Sequence, residues 1–277
     1  MYNFTIQKIL LIGNNICKCD IFSKNLLSNV LKVSNNYLFI FFDIKVNFLL
    51  YFEYLYLLNK KLLGWPLSYI FKNEFFFKIN IFLDIGVLVP RYETYIFINK
   101  LLNIIRYYNF SYILEYGFGS GIISLFLGTC KCLSLYGVDN DLNSFFIAVK
   151  NLYNLKIINN VYYYNNWTVF YCYNKNFNII ISNPPYVNFF SFVVLNNNLI
   201  PFESKKSLLT NYNGMHDIIF IAKISYIILQ KNGFLIIEHG YRHSFLIRKI
   251  FFYFGYLSVN TYIDQCFVDR ITIGKKC

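Results

Sequence analysis

The apolar residues of this chain follow two different spacings, and the change falls near residue 70. Over the first part they recur at intervals of three and four, as at Ile6 and Ile9 and again along Leu49–Tyr56, which is typical of helices that bury one face. Ser23 and Ser34 are residues of the kind that begin helices. Residues 1–72 are therefore predicted to form a small helical bundle.

A β-hairpin is predicted next. Between Phe75 and Val89 apolar and polar residues alternate, as they do in strands with one buried face, and the segment Leu83-Asp84-Ile85-Gly86 offers the turn. Residues 73–90 are thus predicted to link the bundle to a third part of the chain, residues 91–277.

Residues 91–277 alternate between strand and helix patterns, which predicts an α/β fold. A helix is predicted from Glu93 to Tyr108. Strands are predicted at Ser111–Glu115, Cys132–Asp139, Ile157–Tyr164, Phe177–Ile181 and Gly233–Glu238, with a terminal antiparallel pair at Leu257–Tyr262 and Phe267–Ile273. The intervening helices are predicted at Ile122–Thr129, Asp141–Asn154, Gly214–Gln230 and Ser244–Phe254.

A glycine-rich turn, Gly117-Phe118-Gly119-Ser120-Gly121, separates the first of these strands from its helix. Glycine permits positive φ and lets a ligand approach the main chain closely, and a helix N-terminus adds N–H groups. Asp139 ends the next strand about 20 residues further on, where an acidic side chain binds a ribose in nucleotide-binding βαβ units. Because the spacing is G-x-G-x-G and no phosphate-loop Lys follows, an adenosyl ligand with its methionine part against the turn is favoured over a diphosphate.

A second motif, Ser182-Asn183-Pro184-Pro185-Tyr186, follows another buried strand. Two consecutive prolines cannot continue a helix or join a central ladder, so the chain must turn out of the sheet. The side-chain amide of Asn183, the carbonyl of Pro184 and the ring of Tyr186 are then expected at the carboxyl end of a strand. Ligands bind at that edge in open α/β sheets. A plain proline-rich turn is the structural alternative.

Composition limits the class of protein. The hydrophobic fraction is 56% and the mean hydropathy is +0.40, yet no uncharged apolar run reaches the length of about 18 residues that spans a bilayer. No signal-peptide pattern is recognisable at the start. A cytoplasmic protein is therefore expected.

The net charge of +12 is compatible with a nucleic-acid partner. However, the 31 Phe and 26 Tyr, together with abundant Asn and Lys, are residues of A/T-rich codons, so a biased genome explains the charge equally well. The chain has seven Cys, and the pairs Cys17/Cys19 and Cys130/Cys132 lack the C-x-x-C spacing of zinc sites. No metal site is expected.

Together these motifs resemble a known family, the release-factor glutamine N5-methyltransferases, which are Rossmann-like and use S-adenosyl-L-methionine. The segments that carry the resemblance are Pro66–Ile70, Leu88–Thr94, the glycine turn, Gly137-Val138-Asp139, Asn166-Trp167, Ser182–Tyr186, Asn213-Gly214-Met215, Glu238-His239-Gly240 and Asp269-Arg270. The chain departs from the family's usual residues at Tyr92, Tyr95, Glu115 and Asn166.

The resemblance implies a fold and a site. The fold is a seven-stranded methyltransferase sheet with a small N-terminal helical bundle, which recognises the substrate, and a linking β-hairpin. The cofactor-binding residues it implies are Gly117, Phe118, Gly119, Ser120, Gly121, Asp139, Trp167 and Asn183. The substrate-binding residues are Asn183, Pro184, Pro185 and Tyr186, and the catalytic residues among them are Asn183, Pro184 and Tyr186.

The resemblance also implies the reaction. The expected acceptor is the Gln of the Gly-Gly-Gln motif in class I peptide-chain release factors, and the expected enzyme is a monomer with no membrane partner and no nucleic-acid substrate. Two alternatives stay open. Methyltransferases that act on exocyclic amines of bases, adenine N6 or guanine N2, share the Asn-Pro-Pro-Tyr motif, and an inactive cofactor-binding module is compatible with the biased composition.

Overall fold

The computed structural model describes residues 4–130, 132–158, 160–166, 168, 176–186 and 215–277. The chain divides into two compact units, Met1–Asn73 and Glu74–Cys277. We refer to them as the helical unit and the sheet unit.

Five helices form the helical unit: α1 (Ile6–Cys17), α2 (Asp20–Leu31), α3 (Asn35–Ile40), α4 (Phe48–Leu62) and α5 (Leu67–Phe71). Thr5, Ser34 and Asn47 each precede a helix and accept a backbone N–H of its first turn, which satisfies donors that the helix itself leaves unpaired. The helix start predicted at Ser34 is therefore confirmed.

The core of the helical unit is almost entirely apolar. Ile6 and Ile9 of α1 pack with Leu26 and Leu27 of α2 and with residues of α4. One polar pair lies inside it: the hydroxyls of Ser23 and Tyr54 are 2.6 Å apart. Ser23 is thus a buried residue within α2, and the prediction that it begins a helix is wrong.

A two-stranded hairpin begins at the boundary between the units, with β1 (Asn73–Phe76) paired to β2 (Ile79–Phe82). Its turn lies at Phe77-Lys78, so the turn predicted at Leu83–Gly86 is wrong. Phe77 has a φ of +53°, a conformation that sequence rules assign to Gly or Asn. The ring of Phe77 stacks on Tyr95 with centroids 3.8 Å apart, and this packing stabilises a turn with no turn-forming residue.

The rest of the sheet unit alternates strands and helices. Its strands are β3 (Tyr112–Tyr116), β4 (Ser134–Val138), β5 (Val161–Tyr164), β6 (Phe177–Ser182), β7 (Leu229–Glu238), β8 (Tyr256–Ile263) and β9 (Asp269–Lys276). Its helices are α6 (Tyr92–Tyr108), α7 (Ile122–Gly128), α8 (Leu142–Asn154), α9 (His216–Ile228) and α10 (Ser244–Tyr253).

These seven strands form one sheet in the order β5-β4-β3-β6-β7-β9-β8. The first five are parallel, and β9 and β8 complete the sheet as an antiparallel pair. The strand order reverses between β3 and β6, the position at which open α/β sheets bind ligands. The predicted seven-stranded Rossmann-like sheet is confirmed.

The pairing of β3 with β6 is held at both ends. At the start of β3, the Asn178 side-chain oxygen accepts the backbone N–H groups of Ser111 and Tyr112, at 2.9 and 2.7 Å. At the other end Tyr116 lies opposite Ser182, whose hydroxyl donates to the Tyr116 carbonyl at 2.7 Å. The register therefore places the segments that follow the two strands side by side.

At one element boundary the chain adopts a different kind of structure from the predicted one. Leu229 and Gln230 were expected to end a helix, but they begin β7, where Leu229 pairs with Phe177. The apolar run Tyr226–Leu229 suits either element, and the neighbouring strand decides between them. No helix in the described part of the chain is long and apolar enough to cross a membrane.

Candidate active site

A cavity of about 310 Å³ opens where β3, β4 and β6 end. It is lined by residues 115–120 at the end of β3 and beyond it, 139–141 after β4 and 182–185 at the end of β6 and beyond it, with further residues from 86–94, α7, α8 and α9. Its volume lies in the range of small-ligand sites, about 300–1,000 Å³. Three segments that are distant in sequence thus meet at the switch point of the sheet.

The glycine turn has backbone φ angles that residues other than glycine rarely adopt. Gly117, Gly119 and Gly121 have φ values of +73°, +54° and +80°. A Cβ built on Gly117 would meet no atom within 4 Å, so its absence leaves open space along the cavity wall. The turn can therefore receive a ligand directly against its main chain.

Glu115, the acidic residue just before the turn, is buried at 2% exposure. Its carboxylate accepts the backbone N–H of Ser124 at 3.0 Å, in the first turn of α7, so it supplies the cap that Gly121 lacks. Burial raises the pKa of Glu115 to about 8 despite that hydrogen bond. Glu115 therefore holds the turn and the helix together rather than acting as an exposed charge.

Asp139 follows β4 on the opposite side of the turn. One carboxylate oxygen accepts the N–H of Gly119 at 2.9 Å, and the other accepts the N–H of Asp141 at 2.9 Å. Burial raises its pKa, and these two hydrogen bonds partly offset that rise. Each carboxylate oxygen has a second lone pair, so Asp139 remains able to accept hydroxyl groups from a ligand in the cavity.

Aromatic rings support the turn from beneath. The rings of Phe118 and Tyr163 lie 4.4 Å apart, and both pack on the strand residue Gly137. A Cβ on Gly137 would lie 2.7 Å from Tyr163 and 2.8 Å from Phe118. The Gly in Gly137-Val138-Asp139 is therefore required for close packing.

Asn151 of α8 ties the turn to the hairpin. Its buried side-chain amide donates to the carbonyls of Ser120 and Phe82, and its oxygen accepts the Phe82 N–H. Sequence reasoning missed this residue, because an Asn inside a helix carries no signal of its distant partners.

The motif Ser182–Tyr186 lies beside the glycine turn. Asn183, Pro184 and Pro185 line the cavity, and Pro184 is buried. Tyr186 is not among the lining residues; its ring meets His243 at 6.0 Å between centroids. The side chain of Asn183 lies near the buried carboxylate of Glu238 at the end of β7 and lowers its pKa.

The predicted site residues fall into three groups. Gly117, Phe118, Gly119, Ser120, Asp139, Asn183, Pro184 and Pro185 line one cavity. Gly121 caps α7, and Tyr186 lies outside the cavity wall. Trp167 lies outside the described residues.

The cavity also includes residues that sequence reasoning left out. Thr94, Ser144 and Asp217 belong to the lining, each near the start of a helix. Only Thr94 lies in a segment that carried the family resemblance. Asn166, which belongs to a motif that carries the resemblance, is not among the lining residues, and its oxygen accepts the N–H and hydroxyl of Thr168. Among the described residues, no cluster of three His, Cys, Asp or Glu side chains could hold a metal ion.

Solved structures share this fold. A methyltransferase from Pyrococcus furiosus aligns with a TM-score of 0.54 and 18% identity over 79% of this chain and 96% of that chain. The hMettl16 catalytic domain aligns with a TM-score of 0.54 and 13% identity over 70% of this chain and 75% of that chain. With its glycine turn and its cavity at the switch point, this protein has the Rossmann-like fold of these methyltransferases.

Curated relatives narrow the class to one family. The release factor glutamine methyltransferase of Buchnera aphidicola subsp. Acyrthosiphon pisum is 31% identical over 98% of this chain and 96% of that protein. The enzyme of that name from Aliivibrio fischeri is 30% identical over 79% of this chain and 77% of that protein. No protein-family model matches the chain. The chain belongs to the release factor glutamine methyltransferase family, as its motifs predicted.

Proposed function

We propose that this protein transfers a methyl group from S-adenosyl-L-methionine to the side-chain amide nitrogen (N5) of the Gln in the Gly-Gly-Gln motif of class I peptide-chain release factors. Family membership supports the proposal, and one observation carries it. Asn183 and Pro184 line the same cavity as the glycine turn, so a carboxamide beside them would lie next to a ligand held by the turn.

The cavity suits the proposed cofactor. The open space beside Gly117 would receive the methionine part, and the free lone pairs of Asp139 would accept the ribose hydroxyls. Trp167 is proposed to contact the adenine. When bound, S-adenosyl-L-methionine supplies a methyl group activated by its sulfonium.

The residues of the second motif would bind and orient the acceptor. An amide nitrogen is a poor nucleophile because its lone pair is delocalised into the carbonyl. The side-chain oxygen of Asn183 and the carbonyl of Pro184 would accept the two N–H groups of the substrate amide, while Pro185 and Tyr186 would hold its plane by contact. Catalysis would then depend mainly on positioning, an effect worth at most about 7–11 kcal/mol.

The helical unit is proposed to bind the body of the release factor. It exposes large apolar side chains, including Phe39, Phe48, Phe52 and Tyr56 at 49–62% exposure. Exposed apolar groups of this kind are typical of surfaces that bind another protein.

The test measures transfer of a labelled methyl group from S-adenosyl-L-methionine to a class I release factor. Transfer is expected to wild-type factor and to be lost when the Gln of its Gly-Gly-Gln motif is replaced by Ala. Equal transfer to both factors, or transfer to DNA or ribosomal RNA instead, would contradict the proposed substrate. Cofactor binding without any transfer would indicate an inactive binding module.

A further inference from the structure

Asn183 and Glu238 occupy matching positions at the ends of two adjacent parallel strands. Ser182 of β6 lies opposite Ile237 of β7, and the next residue along each strand is Asn183 or Glu238. Glu238 is only 4% exposed, and it is not among the residues that line the cavity. The carboxylate therefore lies beside Asn183 at the end of the neighbouring strand without lining the cavity.

A hydrogen bond between these neighbouring side chains has one possible direction when Glu238 is ionised. A carboxylate only accepts, so the amide nitrogen (Nδ2) of Asn183 would have to donate. One carboxylate oxygen of Glu238, Oε2, is buried without a hydrogen-bond partner. Because Nδ2 and Oδ1 lie on opposite sides of the amide carbon, binding Nδ2 to Glu238 turns Oδ1 away from it.

We propose that Glu238 is a positioning residue that holds the Asn183 amide with its oxygen directed at the acceptor amide. The inference rests on the proposed function, in which Asn183 must accept an N–H. An amide rotated by 180° would present two N–H donors to the donors of the substrate and would repel it. Hydrogen bonds in a chain also polarise one another, so an ionised Glu238 makes Oδ1 of Asn183 a stronger acceptor.

Burial and the charges around Glu238 place its ionisation near neutral pH. Burial and the neighbouring charge of Glu93 raise the pKa of Glu238 to about 7, against the opposing influence of Arg270 and Arg91 and of the Asn183 hydrogen bond. Tyr186 faces the same carboxylate, and its own pKa is raised, mainly by burial.

Protonation removes the constraint on Asn183. A neutral carboxyl group offers an O–H donor as well as an acceptor, so it can pair with either orientation of the amide. A glutamine at position 238 has the same property at every pH. Glu238→Gln therefore reproduces the protonated state with almost unchanged volume.

The experiment compares wild type with Glu238→Gln, using labelled methyl transfer to a class I release factor between about pH 6 and about pH 8.5. We expect wild-type kcat to rise with pH through the Glu238 ionisation. We expect Glu238→Gln to lose that rise and to have a kcat about tenfold lower at the upper end, with little change in KM or in cofactor Kd. Glu238→Ala should lower kcat further, by up to about 100-fold.

Thr272→Val serves as the matched control. Thr272 is equally buried, lies on β9 next to β7, and pairs with His239 rather than with the motif. The variant Thr272→Val should have a lower melting temperature than wild type, with unchanged kcat and an unchanged pH profile of kcat.

Two results would overturn the inference. One is a Glu238→Gln enzyme with wild-type kcat and a wild-type pH profile, which a purely structural role predicts. The other is a flat wild-type profile over the same range, a measurement that does not depend on any variant folding. Failure of the proposed function is separate, since wild-type enzyme would then transfer no methyl group to the release factor at any pH.

Discussion

The helical unit and the sheet unit differ in the kind of polar group that they bury. In the described residues of the helical unit no charged side chain is buried, and Tyr54 with Ser23 forms a neutral pair in an apolar core. The sheet unit buries the carboxylates Glu115 and Glu238 almost completely, and both lie at or near the carboxyl ends of central strands.

The free-energy cost of burying a carboxyl group explains why this difference identifies the candidate site. Burying a carboxyl group disfavours its charged form and raises its pKa, so each such group lowers stability at neutral pH unless partners compensate. Glu115 holds the glycine turn through Ser124, and Glu238 lies beside Asn183. These two costly carboxyl groups therefore lie where they can orient the cavity wall.

The largest expected effect is on catalysis in the sheet unit. Asn183→Ala removes an acceptor that is proposed to hold the reacting nitrogen, so kcat should fall by at least about 100-fold. Cofactor Kd, measured by calorimetry, should stay near the wild-type value. A variant that loses cofactor affinity but keeps kcat would place Asn183 with the cofactor rather than with the acceptor.

A pH dependence of stability should distinguish the two kinds of core. Burial raises the pKa of Glu115 to about 8 and that of Glu238 to about 7, so the folded state keeps protons that the unfolded chain loses above about pH 4.5. Their stabilising contribution is complete at lower pH and declines as pH rises towards the folded pKa values. The free energy of unfolding should fall by up to about 1.4 kcal/mol per pH unit for each group.

Urea unfolding at several values between about pH 5 and about pH 7 measures this slope. Glu115→Gln keeps an acceptor for Ser124 but cannot ionise, so its slope should be shallower than that of wild type. Identical slopes for the two proteins would show that Glu115 ionises equally easily in the folded and unfolded chains.

Two glycines with the same backbone strain separate ligand binding from folding. Gly117 in the sheet unit and Gly64 in the helical unit have φ values of +73° and +84°, and a Cβ on either meets no atom within 4 Å. Gly117→Ala and Gly64→Ala should each cost about 1–2 kcal/mol of stability. Only Gly117→Ala should also weaken cofactor binding, by about tenfold or more, because its methyl group enters the cavity.

Calorimetric titration of both alanine variants with S-adenosyl-L-methionine provides the comparison. Equal loss of affinity in Gly64→Ala would attribute the effect to general destabilisation. Unchanged affinity in Gly117→Ala would place the ligand away from the turn.

The smallest expected effect concerns the neutral pair in the helical unit. Tyr54→Phe leaves the Ser23 hydroxyl buried without its partner and should lower the free energy of unfolding by about 1–2 kcal/mol. Tyr56→Phe on the same helix is the control, because Tyr56 is 60% exposed, and it should have almost no effect. Equal midpoints for both variants in urea unfolding would show that the buried hydrogen bond adds no net stability.

The motifs of the active site could be predicted because they depend on local rules. Positive φ at Gly117 and the exclusion of Pro184 and Pro185 from a ladder follow from each residue's own covalent structure. The pairing of Tyr116 with Ser182 then follows from placing two strand ends at one edge of a parallel sheet. Most strands and helices were predicted within a few residues for the same reason.

The errors occurred where packing overrides local preference. The hairpin turns at Phe77 because its ring stacks on Tyr95, and no residue at this turn is of a type that predicts one. Leu229 joins β7 because a strand is available beside it. From the sequence, Glu238 could be assigned only to a family motif, since its burial and its position beside Asn183 depend on neighbouring strands.

The sequence by itself determined that this chain forms helices followed by an α/β sheet and that two stiff motifs end two strands, and those motifs resemble one family of methyltransferases. The elements and the turns follow from backbone freedom and side-chain spacing, which act over a few residues. Only the tertiary structure decided that Glu238 is buried beside Asn183 and that Glu115 caps α7. A carboxyl group's ionisation and partners depend on which distant side chains exclude water from it, and that is established only when the sheet has formed.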